Sequence, residues 1–313
     1  MIPADDLNRI KMNEKLIKYS ICICNYNMAD TIERALISVL DQVDKRFEVL
    51  VIDDGSSDNS IEIMKSLQKK YDNLRVIALK RDKKRELGET RNISIREAKG
   101  EYVLLHIDAD DVWEPFLISF INLFHRLEGL IKKDVLVSGQ QVNIARREFL
   151  LSHGPYRNTH RAQDRDLWHR MASIDAYIPV DHIIFRKRLS RPFSIRLKRL
   201  FRNTWFQLLY DLRQGTRTGE YVIACYTSFF RHNKNISFLL KILRAILIIP
   251  AFIKNIFSEP LPMPKSMRGH NEFVKYREKM RGTFPELFQR YGGSPDISNM
   301  RVKEQFIFNN SNK

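Results

Sequence analysis

Cysteine is scarce in this 313-residue chain: Cys22, Cys24 and Cys225 are too few for a disulfide framework and lack metal-site spacing, so a reducing, cytoplasmic setting is expected. The opening MIPADDLNRIKMNEK puts acidic and polar residues where a signal peptide needs an apolar core, so export is not expected. Long hydrophobic runs are also missing. The most apolar segment, residues 237–257 (SFLLKILRAILIIPAFIKNIF), has no uncharged run longer than Ala245 to Ile253, far short of the roughly 18 residues a membrane-spanning helix needs. No internal repeat, low-complexity linker or Gly-rich phosphate loop beside the first strand is present. The last absence counts against a nucleotidyltransferase, the competing enzyme class for an acid-rich α/β chain.

Acidic residues are scarce in one half only. Residues 1–150 carry 24 Lys+Arg against 25 Asp+Glu, whereas residues 151–313 carry 29 against 12. Residues 186–254 hold fifteen basic and two acidic side chains, so this segment is either a solvated basic surface or the place where something anionic docks, such as phospholipid, a phosphorylated substrate or nucleic acid. A nucleic-acid-binding protein would fit the pI near 9.8, but no recognisable binding module accompanies the charge, and no nucleic-acid partner is expected. Within the same half, Lys241, Arg244 and Lys254 lie among aliphatic and aromatic residues. That pattern fits a helix in a membrane interface or a core helix with snorkelling cations.

What is present, at 43% hydrophobic content, is a globular α/β pattern. YSICIC (19–24), FEVLVI (47–52), LRVIAL (74–79), YVLLHI (102–107) and DVLVSG (134–139) read as strands. Helical faces fall between them: Ile32, Ala35, Leu36, Val39 and Leu40 behind an Asp30/Glu33 capping box, then Ile61, Met64 and Leu67, then a helix opened by Pro115. Apolar runs without polar alternation suit central strands of a mainly parallel sheet covered on both faces.

The conspicuous acids sit at strand ends: Asp53 and Asp54 after VLVI, and Asp108, Asp110 and Asp111 after YVLLHI. Ligands of open α/β sheets bind beyond those ends, and crowded carboxylates need a countercharge that hard divalent cations, Mg²⁺ or Mn²⁺, supply. Turn and helix-cap acids would look the same one at a time.

Taken together, SICICNYN (20–27), VLVIDDGSSDNS (49–60), GETRNISIREAKGEY (88–102) and DADD (108–111), in this order, resemble the family 2 glycosyltransferases over about residues 19 to 190. The resemblance implies a GT-A (Rossmann-like) fold of mixed, mainly parallel sheet with flanking helices, here with a basic helical C-terminal extension. It implies inverting transfer from a nucleotide-diphosphate sugar, a divalent metal, and an acceptor such as a glycan or polyprenyl-phosphate-linked precursor. Residue by residue, it places Cys24 and Tyr26 around the base, Asp54 on the base, Arg91 near the nucleotide, Asp108 at the ribose and Asp110 on the metal, with Asp111 assisting.

Where the family usually shows Glu-Asp before its acceptor-side helix, this chain reads Gln163-Asp164, which makes Asp164 the expected catalytic base and Asp166 the second candidate. Arg186, Lys187 and Arg188, the basic run after HIIF, fall where the resemblance implies a phosphate-facing arginine or lysine, with Arg186 the first candidate. Two departures stand out: Cys24-Asn25 replaces the common Thr before the Tyr-Asn pair, and Gly100 to Asp108 is one residue longer than usual, which a β-bulge would absorb. The expected layout is an extension (1–18), a nucleotide-sugar half (19–150), an acceptor half (151–235) and an amphipathic, basic region (236–313), working peripherally on an anionic membrane at the inner face of the cell membrane. A non-catalytic basic nucleic-acid- or membrane-binding protein is the alternative outside the enzymes.

Overall fold

Strands that are apolar throughout need cover on both faces, and in the computed structural model four of the five runs picked out above receive it, LRVIAL at the sheet edge being only partly buried. The structure describes residues 17–139, 142–159, 162–190, 193–213, 238–258, 261, 270–294 and 297–311. The strands are β1 (Tyr19–Asn25), β2 (Phe47–Asp53), β3 (Leu74–Ala78), β4 (Tyr102–Asp108), β5 (Asp111–Trp113), β6 (Leu136–Ser138), β7 (Asn143–Arg146), β8 (Tyr177–Asp181), β9 (Arg186–Arg188) and β10 (Gly282–Thr283). The helices are α1 (Ile32–Leu40), α2 (Ser60–Gln68), α3 (Leu87–Glu97), α4 (Leu117–Ile131), α5 (Arg147–Ser152), α6 (Gln163–Ser173), α7 (Phe193–Arg213), α8 (Phe238–Ile256), α9 (His270–Met280), α10 (Phe284–Arg290) and α11 (Val302–Asn309).

Among the described residues the main sheet runs β10-β8-β6-β7-β4-β1-β2-β3. Only β7 opposes its neighbours, pairing antiparallel with both β4 and β6, so the sheet is mixed and mainly parallel as expected. Every residue of β2 is buried, as a strand covered on both faces must be. Ile21, Ile23, Val49, Val51 and Leu104 pack with Leu36, Phe120 and Phe124 of the helices into one core.

Two local details decide where the strand ends point. β1 and β4 pair Ile21 with Leu104 and then Ile23 with Ile107, so β4 carries one extra residue, and His106 there takes φ 71°. This is the bulge that the added residue between Gly100 and Asp108 implied, and it sets Asp108 beside Cys24. Gly55 (φ 77°) turns the chain after β2 so closely that a Cβ there would lie 2.6 Å from the Arg81 nitrogen.

The Asp30/Glu33 capping box does not form. Thr31 is the N-cap of α1 and no side chain caps it. The preceding loop is held from the next strand's turn instead: Met28 and Ala29 amides donate to Ser60 Oγ and Asp58 Oδ2, each at 3.0 Å. The amides at the helix start are met locally, those of Thr31 and Ile32 donating to the Met28 carbonyl at 2.9 Å each. The helix expected to open at Pro115 starts two residues later, with Phe116 as its N-cap.

The chain divides into two compact units that interleave in sequence. One comprises the described residues through Asn158, then Ala176–Leu189, then those from Met280 onward, and it contains the whole sheet. Its last part rejoins β8 through β10, and Phe284 and Leu287 enter the main core, so the rear segment is not structurally of one kind. The other unit, Thr159–Asp175 with Ser190–Lys279, is helical where described. There α7 and α8 pack through Leu208, Leu209 and Leu212 against Ile248 and Ala251. The opposite side of α8 leaves Ile242, Ile246, Ile249, Ile253 and Ile256 exposed, with Phe257 just beyond the helix end. The segment therefore packs by one face and shows an apolar stripe on the other. Among the described residues no helix is long and apolar enough to cross a membrane.

His182, fully buried in the sheet unit, lies between the rings of Phe120 and Phe185, each 5.1 Å away, and its Nδ1 is 2.7 Å from the Ile183 carbonyl oxygen. Burial pushes its pKa down from 6.5 to about 4. Because the folded protein refuses a proton that the unfolded chain accepts, stability is full above pH 6.5 and falls as pH drops toward 4, by about 3 kcal/mol over that window. Urea melts of wild type and His182→Gln between pH 7.5 and 4.5 should show a flatter pH dependence in the variant; parallel curves would contradict the assignment.

Candidate active site

The carboxyl ends of β2, β1 and β4 lie side by side because the strands are parallel neighbours: Asn25 pairs with Asp53, and Cys24 with Asp108. Both acid clusters and the NYN loop therefore face one crevice, where α/β sheets bind ligands.

On the β2 side the two adjacent acids have separate tasks. Asp53 is fully buried and fastens the turn, accepting from Asn25 Nδ2 at 2.7 Å, from the Gly55 and Ser56 amides at 3.0 and 2.8 Å, and from Ser56 Oγ at 2.6 Å. Asp54 instead meets two guanidinium groups, Arg81 Nη1 on Oδ2 at 2.6 Å and Arg85 Nε on Oδ1 at 2.5 Å. Burial raises the Asp54 pKa, and the hydrogen bond and charge of Arg85, with the charge of Arg81, only partly offset it. Arg81 also stacks over the half-exposed ring of Tyr26, 4.6 Å from its centroid. Arg81 and Arg85 were not singled out from the sequence, where RDKKRELG reads only as a charged loop; the signal available was its two arginines lying one strand beyond DDGS.

On the β4 side, oxygens from Asp108, Asp110 and Asp111 lie within 4.8 Å of one another. Asp111 is fully buried and opens β5, which pairs antiparallel with β9 in the register Asp111–Arg188 and Trp113–Arg186. Its Oδ2 accepts from Arg186, and its two oxygens lie 3.0 and 3.2 Å from Arg188 Nε and Nη2. Asp108 accepts from Arg188 Nη2 at 2.6 Å and faces Arg91 Nη2 at 3.5 Å. Arg91 is buried on α3, with its guanidinium 5.4 Å from the Tyr156 ring. Asp110 is buried, its carbonyl accepts from the Leu189 amide at 2.7 Å, and its carboxylate is 3.7 Å from Arg188 Nε.

The donor set suits a hard divalent ion, since it is all carboxylate oxygen and closely gathered. Asp111 is fully buried in the β5–β9 clasp, so Asp108 and Asp110 are the two that could hold such an ion, in exchange for the contacts Arg188 makes with them. The sequence left Asp111 with an assisting role; the structure gives it the job of fixing Arg186 and Arg188.

In the helical unit, the N-cap of α6 is Ala162, without a capping side chain, so Asp164 is not the cap. Asp166, the second candidate, is fully buried and engaged by Arg170 Nε at 3.0 Å and Tyr210 Oη at 3.3 Å. Asp164 is half-buried on the same first turn. The oxygens of Asp166 hold α6 against α7.

Residues 20–186 match the sequence model of Glycosyl transferase family 2. Among curated relatives, the Escherichia coli UDP-Glc:alpha-D-GlcNAc-diphosphoundecaprenol beta-1,3-glucosyltransferase WfaP is 31% identical over 38% of this chain and 49% of its own length. The Bacillus spizizenii poly(ribitol-phosphate) beta-glucosyltransferase is 38% identical over 30% of this chain and 15% of its own. The matched stretch thus spans about half or less of these relatives' length, and about a third of that of an uncharacterized Nostoc glycosyltransferase, 38% identical over 34% of this chain. Among solved structures, S. aureus TarS 1-349 in complex with UDP-GlcNAc superposes with a TM-score of 0.51 at 15% identity, over 91% of this chain and 95% of that one, which shows a shared GT-A fold.

The clasp makes its own prediction. Asp111→Asn leaves Arg186 and Arg188 short of a buried counterion and should cost about 2–3 kcal/mol in urea unfolding, discounted for the partial exposure of both arginines. Asp110→Asn should cost less than about 1 kcal/mol. Equal losses in the two variants would contradict the separation of structural from ligand acids.

Proposed function

The chain belongs to glycosyl transferase family 2, and from that premise we propose that it moves a sugar, with inversion, from a uridine-diphosphate sugar to a hydroxyl or phosphate of a glycan acceptor on a phosphate-bearing carrier. The observation that carries this reading is the convergence of Tyr26, Asp54, Arg91, Asp108 and Asp110 on one crevice at the ends of three parallel strands. Tyr26 offers a stacking face; Asp54 accepts from the imide N–H of the base, and Arg81 and Arg85 beside it donate to flanking carbonyls, a pattern that uracil meets and guanine does not. Asp108, partly exposed, accepts from the ribose hydroxyls. The name of the E. coli relative, with UDP-Glc as donor, points the same way.

Inversion requires the acceptor to attack from the side opposite the leaving nucleotide, and Asp164 takes the acceptor's proton as it does so. The departing diphosphate gains negative charge, and the half-exposed Arg188 of the β5–β9 clasp is the cation that meets it in this reading. A divalent ion, Mg²⁺ or Mn²⁺, held by Asp108 and Asp110 would add charge neutralisation there. Asp110→Asn and Asp164→Asn should each lower sugar transfer by about 100-fold or more with unchanged circular dichroism. Retained transfer in both folded variants would sink the assignment and favour a non-catalytic relative.

The acceptor side of the proposal rests on charge. The E. coli and B. spizizenii relatives are named for phosphate-containing acceptors, and the rear half of this chain carries 29 basic against 12 acidic residues. The apolar stripe of α8 then seats the enzyme peripherally on the cytoplasmic face of an anionic membrane, each nearby Lys or Arg adding about 1 kcal/mol. Flotation with vesicles containing phosphatidylglycerol should retain the wild type, and an Ile246→Ser/Ile249→Ser variant should stay at the bottom of the gradient. Equal flotation of both, or indifference to lipid charge, would remove the membrane from the account.

A further inference from the structure

Arg188 touches all three acids of the β4 end, and it is built differently from its neighbour Arg186. The side chain of Arg186 is mostly buried against Asp111, whereas 53% of the Arg188 side chain is exposed. The Arg188 backbone is held in place, since β9 is paired with β5 and the next residue, Leu189, donates its amide to Asp110. A guanidinium is charged at any working pH, the backbone beneath it is fixed, and the exposure of half its side chain leaves it room to swing toward water once its bonds to the acids are exchanged.

Charge balance gives that freedom a consequence. Among the described residues, three carboxylates (Asp108, Asp110, Asp111) face three guanidinium groups (Arg91, Arg186, Arg188), so these six charges balance. A divalent ion entering such a balanced set is favoured when it expels a cation or brings an anion with it. We propose that Arg188 is the displaceable counterion of this site: guanidinium and divalent ion compete for Asp108 and Asp110, and the released guanidinium is met by the diphosphate of the donor. Arg186 stays with Asp111 and keeps the clasp closed. Metal and nucleotide then load as a pair, because each supplies what the other's entry leaves unbalanced, and linkage makes the effect reciprocal.

This inference rests on the metal-site part of the glycosyl-transfer reading, and it is tested by binding alone, without turnover. Mn²⁺ titrations, by calorimetry and by the electron paramagnetic resonance of free Mn²⁺, compare wild type, Arg188→Gln and Arg188→Gln/Asp110→Asn, each with and without UDP. Arg188→Gln should bind Mn²⁺ about tenfold more tightly than wild type in the absence of nucleotide, the low end of what a lost charged hydrogen bond gives once solvent screening is counted. UDP should strengthen Mn²⁺ binding less in Arg188→Gln than in wild type, and the double variant should lose the tight site. Unchanged or weaker Mn²⁺ binding in Arg188→Gln overturns the competition. So does an absence of Mn²⁺ binding in every protein, which leaves the sugar-transfer assays to judge the enzymatic reading by themselves. Should Arg188→Gln not fold, Arg188→Lys keeps the charge but loses the fork, and Mn²⁺ affinity identical to wild type there counts against the proposal in the same way.

Discussion

Carboxylates packed at one strand end repel each other, and the sheet unit is arranged around what neutralises them. Asp108, Asp110 and Asp111 leave β4 within four residues, and their oxygens lie inside 4.8 Å. Arg186 and Arg188 come from a strand some 75 residues later, which is brought alongside β5 to meet them. Arg91 comes from the helix before β4. The β5–β9 ribbon exists where it does because the charges do, and Trp113 and Phe185, 5.6 Å apart, give it an apolar footing on the core.

The same logic, a buried acid held by arginines, recurs at the β2 end, where Asp54 meets Arg81 and Arg85. The two ends differ in how much they can give. Asp54 sits beside an aromatic face and one pair of donors, an arrangement suited to a flat, hydrogen-bonding base. The β4 end gathers charged groups of both signs, which suits a metal and a diphosphate entering together. β1 lies between the two and positions both, with Asn25 against Asp53 and Cys24 against Asp108.

Much of this was legible in the sequence wherever structure is local. The apolar runs of β1, β2 and β4, the helical face of α1 and the strand-end acids could be read directly because burial imposes period and composition on short segments. The extra residue in β4 was visible as a length, and His106 shows where it went. What escaped depends on partners far apart in the chain. No local pattern marks Arg188 as opposite Asp111, or Arg81 as opposite Asp54. The Asp30/Glu33 box failed for a local reason: the helix begins one residue later, with Thr31 as its N-cap and the Thr31 and Ile32 amides on the Met28 carbonyl. Short strands such as β7 and β10 carry too few residues for periodicity to speak.

The central claim is that the β4 acids form a cation site next to a nucleotide crevice. Anomalous diffraction at the manganese edge, from crystals grown with Mn²⁺ and UDP, tests it most directly. The account predicts one strong peak bound by Asp108 and Asp110, with the diphosphate beside it and the Arg188 guanidinium withdrawn from both acids. UDP in the crevice with Arg188 still seated among the three carboxylates, and no manganese peak there, would contradict it.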